Sequence, residues 1–190
     1  VDWLEAAAVV FGIVSVYLSV RENIWSWPTA IVNVTLYIFV FRGARLYADM
    51  ALQVVYIVIS LYGWYEWLHG GAGKTELRVT RANARLGAVL VAIGLVSAAA
   101  LGTILGRYTN AALPYLDSTT TATSLIAQWM MARKLLENWL VWVAVDVVYI
   151  GMFVYKSLYL TALLYAVFLV LSATGYVRWR KTLVANASSA

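Results

Sequence analysis

Residues 139–179 read WLVWVAVDVVYIGMFVYKSLYLTALLYAVFLVLSATGYVRW. Apart from Asp146, the run 139–155 is apolar or aromatic, and after Lys156 a second apolar run fills 157–177. As helices, runs of this length rise about 25–32 Å at 1.5 Å per residue, the thickness of a bilayer's hydrocarbon core. Helices satisfy their own backbone hydrogen bonds, which lipid demands. A barrel strand would alternate polar and apolar residues about every second position, and these runs do not. Outward from this window, similar stretches occupy 3–20, 24–41, 46–68, 84–106 and 112–132, making seven in all. Pro114 followed by Asp117, Ser118 and Thr119 is expected to stop the preceding loop and cap the fifth helix.

Composition agrees with a membrane solvent. The 190 residues are 63% hydrophobic and 12% charged, against about 45–50% and 25% in soluble domains. Disorder and an ordinary soluble enzyme are both excluded, because neither tolerates so few charges. The net charge of +5 resides in loops, so no nucleic-acid partner is expected. Without cysteine and with His69 alone in a Gly-rich loop, neither a thiolate site nor a Ser–His–Asp set is available. Gly73-Lys74-Thr75 ends like a phosphate-binding loop, yet Leu68 stands where its first Gly belongs. The expectation is no enzyme, no cofactor and no metal. The chain starts at Val1 and is expected to be trimmed; with Asp2 and Glu5 at its start, the first stretch reads as a retained helix, not a signal peptide.

Seven spans place alternate loops on opposite sides. One side carries Arg21, Lys74, Arg78, Arg81, Arg85, Arg133, Lys134, Arg178, Arg180 and Lys181; the other carries Arg42, Arg45, Arg107 and Lys156. The positive-inside rule therefore places the first set in the cytoplasm, the N-terminus outside and the C-terminus inside.

Residues 27–67 repeat in 139–179. The gapless shift that carries Trp27 onto Trp139 also aligns Tyr37 with Tyr149, Phe41 with Phe153, Ser60 with Ser172, Gly63 with Gly175 and Trp67 with Trp179. Leu46, Tyr47, Leu52, Val55 and Val58 also recur, so these eleven matches alone cover about a quarter of the window. The shift moves helix two onto six and helix three onto seven. Four spans is an even displacement, so the halves are parallel repeats with the fourth helix as an inverting linker. Three plus one plus three is the layout of the SWEET-type carriers. The expected fold is thus an all-α integral membrane protein of seven helices. Residues 1–68 form one triple-helix bundle, 69–110 a hydrophilic linker and connecting helix, 111–181 the second bundle, and 182–190 a tail.

An ionisable group in mid-membrane is a functional candidate by default. Asp146 is one, and Trp139, Trp142, Asp146 and Tyr149 share a helix face at i, i+3, i+7 and i+10. Two π surfaces, a phenol and a carboxylate suit a flat cationic ring. Against this stands a purely structural role, with Asp146 bonding a neighbouring helix. Trp27, Asn33 and Tyr37 form a related face on the second helix, while Gln53 and Gln128 are amides able to read hydroxyl or amide groups. Trp25, Trp64, Trp67 and Trp179 are expected to be interfacial anchors, Asp49 and Glu66 to be solvated, and residues 119–123 to serve helix start and packing. Gly12, Gly63, Gly151 and Gly175 are expected to allow close packing or bending.

Glu22-Asn23-Ile24-Trp25-Ser26-Trp27 and Gly63-Trp64-Tyr65-Glu66-Trp67 resemble the first half of the PnuC vitamin transporters. The run from Ala132 through Arg133, Lys134, Glu137 and Asn138 to Trp139 and Trp142 carries that family's WxxW. The resemblance continues through Lys156-Ser157-Leu158-Tyr159 to Gly175-Tyr176-Val177-Arg178-Trp179 and covers essentially the whole chain. It implies a seven-helix, SWEET-like carrier in the bacterial inner membrane, a homotrimer with one pathway per protomer. Its usual substrate is nicotinamide riboside, entering by facilitated diffusion, and relatives carry thiamine or riboflavin. On the matching positions Trp139 and Trp142 flank the ring, Asp146 stands where the family has Asn or Asp, and Gln128 precedes that helix. Nicotinamide riboside and thiamine are flat cations and riboflavin is neutral, so charge favours the first two. The expectation is a nicotinamide riboside uniporter working by alternating access, with a thiamine carrier, a proton-coupled carrier or a non-transporting sensor as rivals.

Overall fold

The structure, a computed structural model, describes residues 3–43, 47–108, 113–155 and 157–188, and of 47–49 the backbone only. Among these residues there are seven α-helices: α1 Trp3–Val20, α2 Ser26–Gly43, α3 Tyr47–His69, α4 Ala84–Tyr108, α5 Pro114–Ala132, α6 Asn138–Tyr155 and α7 Tyr159–Ser188. A single 3₁₀ turn, Ala72–Lys74, lies in the α3–α4 connection, where Gly73 and Lys74 adopt positive φ. Four helices (α1, α4, α6 and α7) are long and apolar enough by length and composition alone to cross a membrane. Large apolar side chains stand on the outside, including Val91, Leu95 and Val96 of α4 and Leu160 of α7. Water does not tolerate such a surface, whereas lipid tails match it. The protein is a multi-pass membrane protein.

The helices pack in chain order. α1 lies on α2 and α2 on α3; α5 lies on α6 and α6 on α7. The two groups meet through α3 against α5 and α1 against α7, while α4 packs on α5. At the seam, near the ends of α1, α3, α5 and α7, four indoles are sealed from solvent: Trp27, Trp67, Trp139 and Trp179 are at most 3% exposed. Trp67 joins Trp27 edge-on at 5.3 Å and Trp179 at 5.9 Å, and Trp179 meets Trp139 edge-on at 5.3 Å. Val20, Val79, Met131, Ala132 and Leu136 complete this core. The surrounding connections (residues 21–25, 70–83 and 133–137, and the chain after 178) carry the larger set of basic residues, and this end is called the basic face below.

Several sequence expectations change here. Trp67 and Trp179 are core residues rather than interfacial anchors: Trp67 Nε1 donates to Met131 O and Trp179 Nε1 to Ser19 O, both at 3.1 Å. Trp64 packs partly buried against the same cluster, and only Trp25, 64% exposed, stands out as an anchor would. Glu66 is not solvated, because its carboxylate pairs with Arg133 at 2.6 Å. The side chain of Asp49 lies outside the described residues. The hydrophilic linker 70–83 is docked on the helices, since Val79 is buried and Thr80 bridges to Leu135. α5 starts at Pro114 itself with no side-chain cap, and the Ser118 and Thr119 hydroxyls bond carbonyls four residues back instead. Proline suits that place because the first turn's N–H groups have no partner within the helix. α7 runs on to Ser188, through the segment expected to be a tail. Of the four glycines, Gly63 and Gly175 lie under the rings of Trp27 and Trp139 and Gly12 under the Asn33 amide, whereas Gly151 faces open space.

Candidate functional site

A cavity of about 540 Å³ lies between the two helix groups. Its lining includes all nine residues that the sequence singles out: Asn33, Trp27 and Tyr37 from α2, Gln53 from α3, Gln128 from α5, and Trp139, Trp142, Asp146 and Tyr149 from α6. The helical spacing in α6 achieves this directly. Residues at i, i+3, i+7 and i+10 project from one stripe, and that stripe faces the seam.

Each group is held differently. Asp146 is 3% exposed and accepts a hydrogen bond from Ser172 Oγ of α7 at 3.1 Å. The structural role considered for Asp146 and its place on the cavity wall are therefore both realised. Asn33 Nδ2 donates to Ala8 O of α1 at 2.6 Å, and Gly12, one turn further along α1, leaves the space its amide needs. Trp142 is half-buried and packs against the indole cluster. Trp27 and Trp139 stand at the sealed end, and both indole N–H groups are buried without a partner. Tyr37 stacks on Phe41 at 5.5 Å and Tyr149 on Phe153 at 5.8 Å, with Tyr165 closing on Tyr149 at 4.7 Å.

Lining residues that the sequence alone did not mark include Glu5, Tyr56, Ser124, Tyr165 and Ser172. Tyr165 and Ser172 had a signal, since the repeat aligns them with Gln53 and Ser60. The others are single polar residues on apolar helices whose orientation no periodicity discloses.

The cavity runs from the Trp27 and Trp139 end to Glu5, Phe41, Phe153 and Thr161 at the opposite face, where Glu5 is exposed. Among the described lining residues the charged groups are Glu5 and Asp146, and no Lys, Arg or His joins them. Such a chamber offers aromatic faces, amides and net negative charge. No cluster of three metal-ligating side chains occurs among the described residues.

The sequence profile of the family described as Nicotinamide mononucleotide transporter matches residues 2–181. The chain is 27% identical to the nicotinamide riboside transporter PnuC of Escherichia coli (strain K12), over 94% of this chain and 85% of that protein. It is 29% identical to the PnuC of Neisseria mucosa, over 95% and 73%. The riboflavin/roseoflavin transporter RibM of Streptomyces davaonensis is 25% identical over 77% of this chain and 70% of its own length. A crystal structure of the vitamin B3 transporter PnuC superimposes with a TM-score of 0.76 at 26% identity, covering 95% of this chain and 82% of that one. Family and relatives are transporters, not enzymes. With the profile spanning nearly its whole length, the chain belongs to the PnuC family of nicotinamide mononucleotide transporters.

Proposed function

We propose that this protein carries nicotinamide riboside across the bacterial inner membrane as a uniporter. The observation that carries the substrate reading is the charge of the cavity: carboxylates at Glu5 and Asp146, and no basic side chain among its described lining. A pyridinium nucleoside gains from both acids and from the π face of Trp142. A mononucleotide would bring its phosphate into the same field, which disfavours it. Neutral riboflavin gains no charge pairing from the acids, although one relative carries that name. The cavity volume lies within the ~300–1,000 Å³ of small-molecule sites.

The repeat sorts the candidate contacts. Trp27 and Trp139, like Tyr37 and Tyr149, are identical pairs within it, so they frame the chamber. Asn33, Gln53, Gln128, Trp142 and Asp146 align with Val145, Tyr165, Val16, Ala30 and Val34 under the same shift. These five break the symmetry and are the groups assigned to reading the substrate. The four frame residues border it, Trp139 and Trp27 at the closed end.

Parallel triple-helix repeats joined by α4 are the architecture proposed for this chemistry. Paired geometry supports it: α3 meets α5 and α7 meets α1, which the shift interconverts. Two such bundles rocking about a central site give alternating access. The sealed indoles at the basic face and the exposed Glu5 at the other describe one end of that cycle. The distribution of Arg and Lys puts the basic face in the cytoplasm and the N-terminus outside. A homotrimer with one pathway per protomer is the assembly proposed from the family.

A ligand panel tests the reading. Purified protein titrated with nicotinamide riboside, thiamine and riboflavin is followed by tryptophan fluorescence, and uptake is measured in proteoliposomes. Nicotinamide riboside should quench and be taken up without a pH gradient. Quenching by thiamine alone would move the assignment to the other cation, and accumulation driven by an imposed proton gradient would sink the uniporter.

A further inference from the structure

The α3–α4 connection crosses the seam between the helix groups at the basic face. At one end it is tied to the first group, where Leu77 N donates to Trp67 O at 3.1 Å, in the last turn of α3. In its middle it is tied to the second group, on the turn between α5 and α6. Thr80 N donates to Lys134 O at 3.0 Å and Leu136 N to Thr80 O at 2.8 Å, a parallel bridge of Thr80 with Leu135. The Glu137 carboxylate accepts from Ala82 N at 2.9 Å and pairs with Arg81 Nε at 3.5 Å. Between these ties Val79, 2% exposed, inserts into the indole cluster. Asn83 Oδ1 then accepts from Leu86 N at 2.8 Å and starts α4.

The turn that receives this strap has a twin at the corresponding place in the first half. Glu22 and Lys134 both have positive φ, at 54° and 48°. Asn23 N bonds Leu18 O at 2.9 Å as Leu135 N bonds Met130 O at 3.0 Å, and Ser26 N bonds Asn23 O as Asn138 N bonds Leu135 O. Glu22 and Lys134 also pair with each other at 3.3 Å. Only the second twin carries the strap among the described residues. Backbone pairs and a buried valine exceed what a passive connection needs. Because the strap holds both groups, the seam cannot widen at this face while it stays docked.

We propose that residues 76–82 are a latch over the basic-face exit, and that substrate leaves there only after the latch lifts from the α5–α6 turn. The proposal rests on the carrier reading above and adds a moving part to it. Its direct test uses the absence of native cysteine. Thr80→Cys with Leu135→Cys joins the bridged positions, whose pairing brings their backbones within disulfide range. The oxidised protein should bind nicotinamide riboside with unchanged affinity by tryptophan fluorescence yet lose uptake into proteoliposomes, and reduction should restore it. Full uptake by the oxidised form, with the disulfide verified by mass, overturns the latch.

A second arm does not depend on transport. Ser26→Cys places a thiol at the sealed end of the cavity, where the native Ser26 is 1% exposed. Its labelling by a membrane-impermeant maleimide from the basic face should rise about tenfold when Glu137→Ala removes the charge-assisted hydrogen bond to the strap. Unchanged labelling also overturns the latch. If no vitamin binds or moves, the carrier reading fails while this arm still decides whether the strap controls access.

Discussion

Asp146 is placed where a carboxylate has one fixed partner, Ser172, and one open side toward the cavity. Its neighbours along α6 supply the aromatic wall, and the repeat aligns it with Val34, so this charge has no counterpart in the first half. Between unit charges about 5 Å apart, Coulomb's law with an effective permittivity near 20 gives about 3 kcal/mol. Desolvation offsets part of that, so Asp146→Asn should weaken nicotinamide riboside binding about tenfold. The neutral dihydropyridine form of the nucleoside has the same outline and no such term, and its affinity should change little. Titrations of both forms on the variant check this, and equal losses would mean that Asp146 holds structure rather than charge. Trp142→Ala should cost the cation about 1–2 kcal/mol from the lost ring face, measured by the same titration. This much was legible in the sequence, because helix spacing and the cost of a buried acid are both local arguments.

At the level of elements, α2 with α3 and α6 with α7 repeat one contact in detail. Trp27 meets Trp67 edge-on at 5.3 Å and 87°, and Trp139 meets Trp179 edge-on at 5.3 Å and 87°. Gly63 and Gly175 make both contacts possible, since a Cβ at either position would run into an indole ring. Gly63→Ala and Gly175→Ala should each lower stability by about 1–3 kcal/mol through overpacking, and by similar amounts. Thermal unfolding of the two variants in detergent measures this, and a loss at one glycine only would break the equivalence of the halves. The seal also leaves Ser26 Oγ, Trp27 Nε1, Asn138 Oδ1 and Trp139 Nε1 buried without partners. These atoms fall on corresponding positions of the two halves. The glycine and tryptophan identities were visible in the repeat. The direction of the rings was not, which is why Trp67 and Trp179 read as anchors from their place near span ends alone.

For the whole molecule, the charge asymmetry between the two faces makes a topological prediction. Lys74→Cys lies in the α3–α4 connection, exposed at the basic face. In intact cells an impermeant thiol reagent should leave it unlabelled, and in inside-out vesicles it should react fully. The reverse pattern would invert the orientation. Sequence alone determined the seven helices, because a bilayer of fixed thickness and without water permits few solutions for apolar runs of this length. It also determined which side chains share a stripe, because an α-helix has one period. Three things were left to tertiary structure: that stripes from α2, α3, α5 and α6 face a single cavity, that four of nine tryptophans close one end of it, and that residues 70–83 dock as a strap. Each depends on groups such as Ser19 and Trp179, 160 positions apart, coming into contact. Contacts of that range depend on how helices are placed against one another, which local periodicity does not encode.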